Sequence, residues 1–69
     1  MTDPRSLVHQ LTHIRQSRGI SQATIARRMG VNRSAITRLE TDPARDPKLS
    51  TLTRYAHALK LQITLEEQP

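Results

Sequence analysis

No cysteine occurs in this 69-residue chain. That excludes disulfides and thiolate metal sites, two of the staples on which domains of this size often depend. Tryptophan and phenylalanine are absent too, and Tyr55 is the single aromatic residue, so any core must be aliphatic and modest. The length corresponds to one domain near the lower limit for a self-sufficient core, which leaves oligomerisation as the remaining staple. No run approaches the ~18 apolar residues of a membrane span. The opening MTDPRSL lacks the apolar h-region of a signal peptide. Together these absences point to the cytoplasm. There is no glycine-rich phosphate loop, no pairing of acids for general acid–base work and no serine in a nucleophile setting, so an enzyme is not expected and no cofactor is implied. Internal repeats and low-complexity tracts are absent as well.

What is present is positive charge, unevenly placed. Residues 1–60 hold all 11 basic and 4 acidic side chains, a net of +7, and residues 61–69 hold Glu66 and Glu67 and no base. Four arginines (Arg27, Arg28, Arg33 and Arg38) fall between Ser21 and Arg38 with no acid among them. Nine of the 11 bases are arginine, whose planar fork pairs with phosphate or guanine. Such a balance fits a polyanionic partner, although charge alone equally describes a soluble domain of basic pI.

Along the chain, Asp3 and Pro4 form a helix start signal. Leu7, Leu11 and Ile14 follow at helical spacing with Val8 beside them, and Gly19 supplies a stop. The spacing predicts a helix from about Pro4 to Ser17, with Ile20 entering the core beyond it. Ser21 is placed to cap a second helix whose inner face is Ile25, Ala26 and Met29. Gly30 can end that helix in the left-handed conformation, Val31 fills the turn and Asn32 caps a third helix. Two prolines and two aspartates mark a loop from Thr41 to Lys48. A fourth helix carries Leu49, Leu52, Ala56 and Leu59, with Tyr55 alongside, and starts within a few residues of the two usable signals, Pro47 and Ser50. The period then changes: residues 61–65 alternate apolar and polar, as a half-buried strand does. A lone strand leaves its backbone groups unmet. A second copy pairing antiparallel about a two-fold axis through Leu61, Ile63 and Leu65 would satisfy them. A frayed tail and an extension of helix four are the alternatives.

The third helix carries the most information. At about 100° per residue with Arg33 at zero, Thr37, Ser34 and Arg38 fall at about 40°, 100° and 140°, and Ala35, Leu39 and Ile36 at about 200°, 240° and 300°. One side is apolar and the other offers two arginines and two hydroxyls. Arginine commonly reads guanine, and serine or threonine serve several bases or a phosphate. An isolated helix of this kind would be an ordinary amphipathic surface helix.

It does not stand alone. Gln22, Ile25, Ala26, Met29, Gly30, Val31, Ile36 and Leu39 fit the helix-turn-helix pattern position for position. The stretches SQATIARRMGVNRSAITRLE and PKLSTLTRYAHAL resemble the Cro/phage-repressor type (the XRE family) of DNA-binding domains over about residues 6 to 60. The resemblance implies an all-α, compact four-helix, lambda-repressor-like domain over residues 1–60, with residues 61–69 as a dimerising strand and tail. It also implies roles for particular residues. Gln22 matches a glutamine that anchors a phosphate. Asn32, Arg33, Ser34 and Arg38 match positions facing the major groove, and Thr37 lies on the same face. Arg45 and Lys48 match a basic stretch that grips the backbone. Arg15 and Glu40 match a paired Arg and Glu tying helix one to the end of helix three. Two departures stand out: Thr41 and Asp42 replace the usual Asn-Gly after the glutamate, and Lys60 replaces a glycine that usually ends helix four.

The resulting expectation is a homodimeric, sequence-specific binder of double-stranded DNA, a transcriptional repressor on a palindromic operator. Strand-ended members of the family include antitoxins, so an antitoxin that also binds a toxin protein is the alternative, and a nucleoid protein the third. His9 and His13, four apart, have metal-chelating spacing, but with no third ligand they read as solvated surface histidines. No metal site is expected.

Overall fold

The computed structural model describes residues 4–42 and 46–63. Within them lie four helices: α1 (Pro4–Ser17), α2 (Gln22–Met29), α3 (Arg33–Thr41) and α4 (Leu49–Ala58). Both α1 and α2 pack against α3 and α4. The core they enclose contains Val8, Leu11, Ile25, Ile36, Leu39, Leu52, Tyr55 and Leu59, with Leu7, Ile14, Ile20, Val31, Leu61 and Ile63 packed around it. No helix among the described residues is long and apolar enough to cross a membrane.

The helix ends follow from local chemistry. Gly19 takes a left-handed φ of 69°, which lets its own amide reach Gln16 O at 3.0 Å and the Ile20 amide reach Arg15 O at 3.0 Å. These bonds satisfy carbonyls that α1 leaves open. Ser21 caps α2, its side chain accepting from the Thr24 amide at 3.0 Å. Thr24 cannot reach back as a glutamate would; instead it accepts the Ser21 hydroxyl at 3.0 Å.

Several details differ from the sequence expectations. Asn32 occupies the N-cap position of α3 but makes no side-chain capping bond. Ala35, placed with Ile36 and Leu39 on the apolar side, is exposed. The buried residues Ile36 and Leu39 with half-buried Glu40 centre the inner arc near ~290°, so Ala35 lies about 90° away from it. Leu49 is 67% exposed, because it opens α4 one turn before the first core contact, while Pro47 is buried instead. Helix α4 begins from Lys48, without a side-chain cap, between the two start signals Pro47 and Ser50.

The exit from α4 carries the one left-handed non-glycine residue among those described, Lys60, at φ 60°. Its amide reaches His57 O at 2.9 Å, and the Leu61 amide reaches Ala56 O at 2.8 Å. The helix therefore stops and does not run on into residues 61–63. There Leu61 and Ile63 turn inward and Gln62 is exposed. Thr64 and Leu65, the rest of the expected strand, lie outside the described residues, as do Asp3 and Arg45.

Candidate nucleic-acid interface

The corner between α2 and α3 is made by Gly30, at φ 71° and ψ 33°. The Gly30 amide bonds Arg27 O at 3.2 Å and the Val31 amide bonds Ala26 O at 3.0 Å. Nothing lies within 4 Å of where a Cβ would stand on Gly30, so its requirement is conformational, not steric. Ile25, Ala26 and Met29 are buried beside Ile36 and Leu39, and this packing sets how α3 is presented.

The outer face of α3 consists of Arg33, Ser34, Ala35, Thr37 and Arg38, all exposed. Its centre runs along Ser34 and Arg38, with Thr37 on one flank and Ala35 on the other. Among the described residues, no side-chain hydrogen bond holds Arg33 or Arg38. Asn32, which leaves its cap unused, is exposed beside them. Thr37 is differently placed. Its hydroxyl donates to Gln22 Oε1 at 2.9 Å and lies 3.3 Å from Arg33 O, so it faces the start of α2 as much as solvent.

Behind this face lies a polar cluster that joins all four helices. Arg15 of α1 grips Glu40 of α3 with two bonds, Nε to Oε2 at 2.9 Å and Nη2 to Oε1 at 3.0 Å. Gln22 of α2 donates to Glu40 Oε1 at 2.9 Å, and the Tyr55 hydroxyl of α4 donates to Oε2. Arg15 has a further bond to Ile20 O at 2.7 Å. The paired side chains are only 9% and 4% exposed. Burial by itself would raise the Glu40 carboxyl, but the hydrogen bonds from Arg15, Tyr55 and Gln22 outweigh it and hold the group below its ordinary value. Burial likewise opposes the charge on Arg15, and Glu40 more than compensates. Burial and the neighbouring carboxylate push the Tyr55 hydroxyl well above the usual tyrosine range. The sequence pairing of Arg15 with Glu40 is thus part of a larger group; the roles of Gln22 and Tyr55 in it had no sequence signal, because both are set by three-dimensional convergence.

The arginines divide into two populations. Arg5 donates to Leu39 O at 3.1 Å, Arg18 to Leu59 O at 2.6 Å, Arg28 to Ala58 O at 2.8 Å and Arg54 to Met29 O. Each satisfies a carbonyl at the C-terminal end of a helix other than its own, where cations are favoured. Arg28 therefore points toward α4, and Arg27, exposed on α2, is the member of that pair left without such a contact. Sequence offers no sign of this use, since the donor and the helix end it serves lie far apart in the chain.

Lys48 is exposed at the start of α4; its companion Arg45 falls outside the described residues. His9 and His13 are both exposed, and no group of three metal-ligating side chains occurs among the described residues. Leu61 and Ile63 are half-buried against the chain's own core, on the same side of the backbone as each other.

Comparison with known proteins agrees with this geometry. Residues 11–65 match the helix-turn-helix family. Antitoxin HigA1 of Mycobacterium tuberculosis (strain ATCC 25618 / H37Rv) is 44% identical over 66 residues, covering 93% of this chain and 44% of that protein. The protein of the same name from strain CDC 1551 / Oshkosh gives the same values. The chain thus spans less than half the length of these curated relatives. Among solved structures, a HipB-O4 20mer complex superposes with a TM-score of 0.84 at 25% identity, covering 100% of this chain and 96% of that one. A HipA-HipB-O2-O3 complex gives the same score, identity and coverage.

Proposed function

This chain belongs to the helix-turn-helix family, in its XRE branch, and from that membership we propose that it is a sequence-specific DNA-binding regulator, a repressor, acting as a homodimer. Each copy lays α3 in a major groove, with half-sites about one helical turn (~34 Å) apart. Gln22, Arg45 and Lys48 hold phosphates and fix register, while Asn32, Arg33, Ser34 and Arg38 meet base edges. Thr37, tied to Gln22, stands at the edge of this set. Residues 61–65, through Leu61, Ile63 and Leu65, join the two copies. The observation that carries the proposal is the outer face of α3. Arg33, Ser34 and Arg38 are exposed there on a helix whose inner side is clamped by Arg15, Glu40 and Tyr55. A rigid frame with unengaged readers is what recognition of base edges requires. Selection of binding sites from random duplex DNA tests it. A palindromic consensus with one-turn spacing is expected; equal recovery of all sequences would leave a nucleoid-type protein in its place.

A second reading has its own support. The HigA1 relatives are antitoxins, and one solved structure that matches this fold is a HipA-HipB-O2-O3 complex. On that basis the chain is also the DNA-binding part of an antitoxin that grips a toxin protein. A neighbouring gene whose product co-purifies with this chain is the expected result; a chain that always purifies without a partner in cells carrying that gene argues for the simple regulator.

A further inference from the structure

The ends of α2 and α4 converge on a cleft of about 520 Å³ lined by Arg28, Met29, Arg54, His57, Ala58 and Lys60. It is a broad cleft, widely open to solvent. Met29 and Ala58 are buried and form an apolar floor, while Arg28, Arg54, His57 and Lys60 are exposed at the rim. None of the lining residues is acidic.

The two arginines are held in place from opposite sides. Arg28, on α2, is anchored on Ala58 O at the end of α4, and Arg54, on α4, is anchored on Met29 O at the end of α2. A guanidinium has five N–H donors, so each anchor leaves several free to bind a ligand. Neutralising helix ends does not exhaust the charge. Two C-termini amount to about −1 in total, against three full positive charges from Arg28, Arg54 and Lys60, which leaves an excess of about +2. Lys60 stands at this rim in a left-handed conformation that a lysine adopts at a cost of roughly 1–2 kcal/mol.

None of the lining residues belongs to α3, which carries the proposed DNA face. The reading residues belong to α3, whereas the cleft lies where α2 meets α4. Lys48, the phosphate-side residue, begins α4, and Ala58 ends it, about 15 Å further along the axis. A duplex is convex and stiff, and this concavity with an apolar floor does not fit one. We propose that the cleft is a docking site for an acidic segment of a protein partner, with Asp or Glu carboxylates taken by Arg28 and Arg54 and steadied by Lys60. Arginine forks match carboxylates bidentately, and Met29 and Ala58 take the methylenes that carry them. The proposal rests on the DNA reading only in that α3 is then engaged elsewhere, so both ligands bind at once.

Titration of the isotope-labelled full chain with a six-glutamate peptide, followed by amide NMR, tests it. Shifts should centre on Arg28, Met29, Arg54, His57, Ala58 and Lys60, saturate, and fade as salt is raised. Lys60→Gly removes a rim charge while suiting the backbone there, so a loss of binding cannot be ascribed to unfolding; about five-fold weaker binding is expected. Three results would overturn the proposal. Shifts centred on Gln22, Ser34 and Arg38 would make the peptide a mere polyanion on the reading face. Unchanged binding by Lys60→Gly would remove the cleft from the interaction. A wild-type chain that ignores the peptide while a Glu66→Gln/Glu67→Gln variant binds it would assign the cleft to the chain's own acidic residues. A DNA duplex added in parallel separates the two hypotheses. Failure to shift α3 sinks the DNA reading and leaves the cleft assignment standing.

Discussion

Replacing Glu40 with glutamine changes one atom of the side chain and should nearly unfold the protein. Glu40 accepts four hydrogen bonds, two from Arg15 and one each from Gln22 and Tyr55. A glutamine amide offers one acceptor oxygen and one NH2, and because Arg15 donates to both carboxylate oxygens, either orientation sets that NH2 against a guanidinium N–H. Arg15, whose side chain is 9% exposed, keeps a charge with no counter-charge. Stranding one member of a buried pair typically costs about 3–5 kcal/mol. A chain of this length holds only roughly 3–10 kcal/mol in total, so the loss is a large fraction of it. With a urea dependence of about 1 kcal/mol per molar for a small domain, the midpoint followed by circular dichroism should fall by about 3–5 M. Arg15→Met combined with Glu40→Leu should lose less than Glu40→Gln alone, since a buried pair exchanged for apolar groups often costs little. A loss below about 1 kcal/mol, the worth of an exposed ion pair, or simple additivity in the double variant, would refute the account of this cluster.

Other outcomes follow from the same geometry. Because the folded Glu40 carboxyl lies below its ordinary value, its contribution is present above the unfolded carboxylate range near ~4.3. It is lost as pH falls through the folded value; urea midpoints of the wild type should therefore drop in acid more steeply than those of Glu40→Gln. Lys60→Gly should raise stability by about 0.5–1 kcal/mol, since glycine takes φ 60° without the steric penalty of a side chain; a fall in the thermal midpoint would contradict the role assigned to that conformation. Arg38→Ala should lose roughly 1–3 kcal/mol of operator affinity and relax preference at particular base pairs, and uniform weakening across sequences in a gel-shift series would reassign it to phosphate. Removal of residues 61–69 should yield a monomer in sedimentation with greatly weakened operator binding; a truncated chain that still dimerises excludes the strand as the joint.

Much of the framework was legible because it depends on near neighbours. Ser21, Gly19 and Gly30 act on their own turns, and Ile25, Met29, Ile36 and Leu39 reveal themselves by period. Ala35 and Leu49 were misplaced for the same reason: periodicity gives an angle, and burial also depends on where the opposing surface ends. Alanine at the margin of an apolar arc carries too little side chain to bias the outcome. The network around Glu40 was half legible, through Arg15, whereas Gln22 and Tyr55 join it only after the helices meet. The largest omission concerned charge. An arginine that serves a distant carbonyl cannot be told in sequence from one awaiting a phosphate, and Arg5, Arg18, Arg28 and Arg54 all belong to the first kind. Among the candidate readers, Asn32 gained freedom when its cap bond proved absent, and Thr37 lost some to Gln22.

The exchange between α2 and α4 bears on how the molecule opens. Arg28 closes the end of α4 across 30 residues of chain, and Arg54 closes the end of α2 across 25. Helix ends ordinarily fray one at a time, each on its own free-energy scale. Loosening the last turn of α2 withdraws Arg28 from the end of α4, and loosening α4 as far back as Arg54 withdraws the donor at the end of α2, so the opening of the two ends is coupled. The turn at Gly30 follows directly on the end of α2, which makes the hinge of the recognition unit a member of the same cooperative block. Amide exchange should then report the end of α2, the turn and the end of α4 as a single step with a shared dependence on denaturant, where four short helices would otherwise be expected to give a graded series.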